Sequence, residues 1–280
     1  MYYCSFSNFG DELNKVIFEE LFGLRFNYVT NPYMADYFAI GSILSWFNIS
    51  TWKELILEII TWFLRGRKLT KVIVLGSGFH RDYKKYKYLR RMDFRIVRGK
   101  LTERILRENN LLQKKIIHGD LGILSSYLIT KMPEKKYKLG IIPHMNDLNS
   151  PIFYDIYKKH FPSCITINVQ DHPKKVIEDI ASCENIISSS LHGLIASDSL
   201  NIPNLWVESR FTPGPEPHFK YLDYYSIYEI NDIEPLQAID FLDFDIGNIK
   251  RRYRIDYDIV KQKQKELFDY CKHFFNDSFA

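Results

Sequence analysis

Little in this chain points to a secreted, metal-held or membrane-spanning protein. Its four cysteines, Cys4, Cys164, Cys183 and Cys271, form no CxxC pair and show no Cys/His zinc spacing. They read as reduced thiols, and no metal site or cofactor is expected. No run of about 18 apolar residues is long enough to span a bilayer. The opening MYYCSFSNFGDEL lacks a basic n-region and an apolar h-region, so a secretory leader is not expected. The N-x-S sequons at Asn48 and Asn276 then carry no weight, and the expected location is the cytoplasm. There are no low-complexity tracts and no short repeats. The formal charge of +4 is small for 280 residues, and the Lys/Arg clusters lack interleaved aromatics. Nucleic acid is therefore not an expected partner, whereas a small anionic substrate or an anionic membrane surface remains open.

What is present is ordinary for a globular chain, with 46% hydrophobic and 26% charged residues. The 15% of aromatics serve core packing first, and they suit carbohydrate handling as well. Strand-like runs at residues 2–6, 37–40, 71–75, 94–97, 115–117, 139–142, 165–169, 185–188 and 204–207 alternate with helical stretches. The helices are expected at 12–22, 51–64, 101–109, 151–160, 173–182 and 257–275, with Asp11 capping the first and Gly23 ending it. Such alternation implies parallel sheets covered on both faces. The expected class is α/β, with two Rossmann-like domains facing a cleft. The boundaries are residues 1–134 for an N-terminal domain and 135–256 for a C-terminal domain. Residues 257–280 form a closing helix that packs back on the first domain.

Open α/β sheets bind ligands at the carboxyl ends of their strands. The turns there contain Asn8-Phe9-Gly10-Asp11, Gly41-Ser42, Gly76-Ser77-Gly78, Arg98-Gly99-Lys100, Gly119-Asp120 and Pro143-His144. The richest is the last, within NIISSSLHGLIASDSLNIPNLWV (residues 185–207). It reads as strand, turn, helix and strand, with Ser189 and Ser190 as capping residues and Pro203 as the stop. A helix start of this kind offers unpaired N–H groups and positive dipole charge to a phosphate or carboxylate. His192 would stand beside that anion as a proton donor or acceptor; the plain alternative is a packed histidine at a helix start.

In this order the turns resemble those of the polysaccharide pyruvyltransferase family. The resemblance runs through NFGDELN (8–14), AIGSIL (39–44), VLGSGF (74–79), VRGKLT (97–102), GDLGIL (119–124), IIPH (141–144), SSSLHGLIASDSLNIP (188–203) and KYLDYY (220–225). It is closest to bacterial members acting on exopolysaccharide or capsule repeat units. It implies a GT-B-like fold and a transferase that consumes phosphoenolpyruvate. Two hydroxyls of a sugar become bridged by pyruvate as a cyclic ketal, and phosphate leaves; the acceptor expected from the resemblance is a lipid-linked oligosaccharide.

From the matched positions and the chemistry, the catalytic candidates are His192, Asp11 and His144. Donor-binding candidates are Arg98, Thr102, Ser189, Ser190, Gly193 and Lys220. Acceptor-binding candidates are Asn8, Gly10, Gly41, Gly76, Gly78, Asp120 and Glu208. The residue two before the histidine is arginine in many relatives and is Ser190 here, which makes Arg98 the natural replacement clamp for the donor. Its alternative is a structural salt bridge, and that of Asp11 is a helix cap. The stretch ILSWFNISTWKELILEIITWFLRGR (43–67) carries Trp46, Trp52 and Trp62 with basic flanks. Residues 43–68 could rest on a membrane surface, pack inside the protein or form the seam of a homo-oligomer. Two other functional classes stay open on sequence alone, a GT-B-type nucleotide-sugar glycosyltransferase and a non-catalytic sugar-binding scaffold.

Overall fold

The structure is a computed structural model that describes residues 1, 8–29, 34–47, 52–53, 56, 59–60, 71–82, 85–87, 91–209 and 218–279. The strand expected at 2–6 and most of the tryptophan-bearing stretch at 43–67 lie outside the described residues. The chain divides into two compact units. The first comprises Met1–Ser5, Arg25–Leu121 and Pro217–Asn231; the second comprises Phe6–Leu24, Gly122–Glu216 and Asp232–Ala280. The main division thus falls at Leu121/Gly122 rather than at 134/135, and each unit borrows chain from elsewhere in the sequence.

The first unit holds a parallel sheet of β1 (Tyr37–Phe38), β2 (Val72–Leu75), β3 (Met92–Val97) and β4 (Ile117–His118), in that spatial order. The apolar triplets of β2 and β3 supply Val72, Val74, Phe94 and Val97 to a core that also contains Phe38, Phe79, Ile105 and Phe219. Helix α2 (Lys100–Glu108) follows β3 and buries Ile105 and Leu106 on its inner face. Its solvent face carries charges, including the Glu103–Arg107 pair one turn apart.

The second unit begins with α1 (Phe9–Phe22). The helix starts at Phe9 with Asn8 as N-cap, so Asp11 is the third helical residue rather than the cap. The chain is extended at Asn8 and turns helical one residue later, which places Asp11 where its amide donates to the Asn8 carbonyl. Gly23 ends the helix as expected, in the left-handed conformation (φ 67°) that glycine adopts without a Cβ penalty.

A five-stranded parallel sheet forms the body of this unit. Its strands are β5 (Tyr137–Ile142), β6 (Cys164–Thr166), β7 (Cys183–Ser188), β8 (Asn204–Glu208) and β9 (Leu236–Gln237), in the order β6-β5-β7-β8-β9. Helices α3 (Pro151–His160), α4 (Pro173–Ala181) and α5 (Leu191–Ser199) are the crossovers between them. The short helices α6 (Phe219–Tyr225, in the first unit) and α7 (Ile249–Arg252) precede the long closing helix α8 (Tyr257–Phe279). Helix α8 packs on α1 through Phe275 against Phe18 and Phe268 against Phe22. Both helices belong to the second unit, so the closing helix does meet the N-terminal residues, but within its own unit. Cys164, Cys183 and Cys271 are buried and free. Among the described residues no helix is long and apolar enough to cross a membrane.

Candidate active site

The second sheet has a reversal that the first lacks among the described residues. The chain enters at β5, places β6 on one side, then returns to place β7 on the other. At such a switch point the two following loops diverge and leave a crevice at the carboxyl ends of the strands. The loops concerned are Pro143-His144 after β5 and Ser189-Ser190-Leu191-His192 after β7. They are tied together at their bases. The Ser189 amide donates to the Ile142 carbonyl (3.1 Å), and the His144 amide donates to Ser189 Oγ (2.8 Å). Ser189 Oγ in turn donates to Asp147 Oδ2 at 2.7 Å. The Ser188 hydroxyl accepts from the Ser190 amide and bonds the Ile142 carbonyl. Neither Ser189 nor Ser190 caps α5 through its side chain; Ser189 locks β5 to β7 instead.

Helix α5 begins at Leu191, so His192 and Gly193 occupy its first turn. A Cβ on Gly193 would stand 2.6 Å from Ser188 Oγ and 3.0 Å from Ile142 Cγ2, so a larger residue would lift the helix off the strand ends. The first turn of α1 arrives at the same place. The Phe9 amide donates to the Val169 carbonyl in the loop after β6. A Cβ on Gly10 would lie 1.9 Å from Nδ1 of His192, which means the imidazole is packed directly on the Gly10 backbone. Only glycine allows that approach.

Asp11 follows immediately. Burial pushes its carboxyl up to about 6, against the pull of His192 and of a hydrogen bond from Asn8 Nδ2 (3.2 Å), with a small upward push from Glu12. A carboxylate that titrates near neutrality and is coupled to an imidazole is the pattern of acid–base machinery. Two helix N-termini, a histidine and a tuned aspartate thus converge within one unit. Sequence reasoning placed them in two separate turns, Asn8 to Asp11 and Ser189 to Gly193; the structure joins Asn8, Gly10, Asp11, Ser189, Ser190, His192 and Gly193 into one neighbourhood. His144 lies on the adjoining loop, where its Nδ1 accepts from the Asn146 amide at 3.3 Å and caps a single 3-10 turn. Glu208 ends β8 and accepts from Gln237 Nε2 (3.2 Å) on β9, two strands from β5.

The candidates in the first unit tell a different story. Arg98 is fully buried. Its Nε donates to Asp223 Oδ2 at 3.0 Å, Nη1 to Ser42 Oγ at 2.8 Å, and Nη2 to the Phe79 carbonyl. Thr102, equally buried, donates its hydroxyl to Asp223 Oδ2 (2.7 Å) and its amide to Asp223 Oδ1 (2.8 Å). The Thr102 hydroxyl also accepts from the Phe79 amide. Arg98 and Thr102, expected as a donor clamp, thus take part in an internal knot in which Asp223 accepts from Nε of Arg98 and from the amide and hydroxyl of Thr102. Asp223 was overlooked in sequence, although it stands in the KYLDYY stretch; a single aspartate among aromatics gives no sign of a partner 125 residues away. Gly78 packs beneath the Arg98 guanidinium, where a Cβ would come within 2.6 Å of Nη2. Gly76 ends β2 at φ 98°, and the Gly41 carbonyl accepts from Ser77 Oγ (2.8 Å) and the Gly78 amide. Asp120 is buried directly after Gly119. Lys220, also buried, sets its ammonium 5.1 Å from the Tyr221 ring centre.

Comparison with known sequences agrees with the chemistry of the second unit. The sequence matches the family described as polysaccharide pyruvyl transferase over residues 8–210, a span that includes every residue of the switch-point neighbourhood. It is also 29% identical over 282 residues to an uncharacterized protein of Acanthamoeba polyphaga mimivirus, covering 95% of this chain and 88% of that one. No solved structure matches. With most of its length matched, the chain belongs to the polysaccharide pyruvyl transferase family.

Proposed function

We propose that this protein transfers the pyruvate unit of phosphoenolpyruvate to two hydroxyls of a sugar in a surface polysaccharide or its lipid-linked precursor. The product is a cyclic ketal, and inorganic phosphate is released. The observation that carries this reading is the packing of His192 on Gly10, beside an Asp11 carboxyl held near neutrality. The reaction needs an acid and a base together. Carbon 3 of the donor gains a proton as carbon 2 acquires oxocarbenium character, and a sugar hydroxyl loses a proton as its oxygen bonds to carbon 2. A second hydroxyl then bonds to carbon 2 as the carbon–oxygen bond to phosphate breaks, and its proton leaves with the phosphate. The methylene becomes a methyl, and no oxidant or reductant is consumed.

In this reading ionised Asp11 accepts the proton of the first hydroxyl and protonated His192 delivers one to carbon 3. Such proton transfers contribute about 10²–10⁴-fold each to rate. The amides of Leu191, His192 and Gly193, in the first turn of α5, receive the donor's phosphate or carboxylate. Arg98 acts at a distance, by fixing the loop after β3, since its guanidinium is spent on Asp223, Ser42 and Phe79. The protein works in the cytoplasm, where phosphoenolpyruvate is available.

The test is phosphate release from phosphoenolpyruvate with galactose-, glucose- and N-acetylmannosamine-terminated acceptors, with product mass measured in parallel. Acceptor-dependent release and a mass gain matching a ketal, both lost in His192→Ala, are the expected result. Stabilisation by a nucleotide sugar without any effect of phosphoenolpyruvate would replace this reading with glycosyl transfer.

A further inference from the structure

The second unit carries a separate cavity of about 460 Å³, within the size range of small-molecule sites. Tyr137, Tyr154, Tyr157, Phe161, Pro162 and Thr166 are among its lining residues. Tyr154 and Tyr157 come from α3, Phe161 and Pro162 from the turn after it, Tyr137 from the start of β5 and Thr166 from the end of the edge strand β6. The cavity therefore lies along the outer edge of the sheet, on the β6 side and reaching the start of β5, whereas His192 stands beyond the end of β7, on the other side of β5. The five steps of β5 from Tyr137 to Ile142 alone span roughly 16 Å.

Three features of the lining define its chemistry. It is aromatic, and two of its largest rings face solvent: Tyr154 is 57% and Phe161 63% exposed. Aromatic area held in water at that level is a cost without a folding return. The lining contains no charged side chain. None of the hydroxyls of Tyr137, Tyr154 and Tyr157 takes a partner among the described residues. The rings are also held in place, with Tyr157 and Phe161 5.7 Å apart and tilted at 52°, and Lys158 Nζ 4.5 Å from the Tyr154 ring centre. An uncharged, pre-oriented set of rings bearing free phenols matches a ligand with an apolar face and a rim of hydroxyls. A pyranose ring has that shape: its axial C–H bonds form the apolar face and its equatorial hydroxyls the rim. A charged peptide would leave its ionic groups unanswered here.

We propose that this cavity is a second saccharide-binding site, which holds a neutral stretch of the acceptor polymer away from the reacting sugar. The proposal rests on the polysaccharide acceptor assigned above. Its effect is on the capture of long acceptors, since tethering at one site raises the local concentration of chain at the other.

The test uses the full chain, without phosphoenolpyruvate, titrated with soluble galactose-, glucose- and N-acetylmannosamine-containing oligosaccharides and followed by saturation-transfer NMR. Wild type should bind, Tyr154→Ala should bind about tenfold more weakly, and Tyr154→Phe should retain most of the affinity. In turnover, Tyr154→Ala should raise KM for a polymeric acceptor by a similar factor. Absence of oligosaccharide binding, or equal binding by wild type and Tyr154→Ala, overturns the proposal. The two readings fail separately: binding at Tyr154 without phosphate release removes the donor chemistry and keeps this site, and phosphate release without Tyr154-dependent binding does the reverse.

Discussion

The two units bury polar groups for opposite ends. In the first, Arg98, Thr102 and Asp223 are completely enclosed, and every nitrogen of the guanidinium donates to an acceptor within the unit. In the second, Asp11 is largely enclosed yet kept near its titration point, within electrostatic reach of an imidazole that rests on a glycine. A satisfied ionic knot fixes a loop; an aspartate on the verge of protonation can exchange a proton. The sheets differ in the same sense. Among the described residues the first runs β1-β2-β3-β4 in sequence order, whereas the second reverses at β5, the place where such sheets bind ligands. Similar glycine turns thus serve as structure in one unit and as a site in the other.

Substitutions can break this contrast. The largest effects should come from one residue of each kind. His192→Ala should lower turnover by about 10²–10⁴-fold with little change in the unfolding midpoint. Asp223→Ala should leave the Arg98 charge buried without its partner, at a cost of about 3–5 kcal/mol; denaturant titration would read this as a shifted midpoint. Gly10→Ala comes next. The added methyl must displace the His192 ring, and a shift of about 1 Å at a reacting group costs on the order of 10²-fold in rate, measurable in the phosphate-release assay while the far-ultraviolet spectrum stays native.

A smaller effect sharpens the comparison through pH. The folded-state pKa of Asp11 is raised from 3.8 to about 6, so between these values the folded protein holds a proton that the unfolded chain has released. Stability contributed by this group is therefore full below about pH 4 and falls as pH rises through 6. Asp11→Asn removes that fall. Its stability relative to wild type should increase by on the order of 2–3 kcal/mol between pH 4 and pH 7, as read by thermal or urea unfolding across that range. Arg98 and Thr102 variants should show no such pH-dependent gain.

Much of the architecture was legible in the sequence. Pro151 opens α3 and the helix runs to His160 as expected, and the strands ending at Leu75, Val97, Ile142 and Ser188 end where the apolar runs do. Strand β9 was not, because two residues, Leu236 and Gln237, carry no period. The strand expected at 165–169 ends at Thr166, since its pairing with β5 stops at Ile141. The assignment of α1 to the second unit was equally hidden. It depends on Phe9 meeting Val169 and on Phe18 meeting Phe275, contacts between residues far apart in sequence. His192 was legible because a histidine in the first turn after a strand has a recognisable setting. The tie of Arg98 to Asp223 was hidden for the converse reason: the partner is distant in sequence, and burial leaves no local mark.

The central claim is that Asp11, tuned by burial and coupled to His192, is the base of a phosphoenolpyruvate-dependent transfer. The most direct test is the pH dependence of kcat/KM for wild type and Asp11→Asn with the same acceptor. The account predicts an acid limb near pH 6 in wild type, where Asp11 ionises, and a residual activity in the variant that lacks this limb. An acid limb that persists unchanged in Asp11→Asn, at wild-type rates, would contradict it.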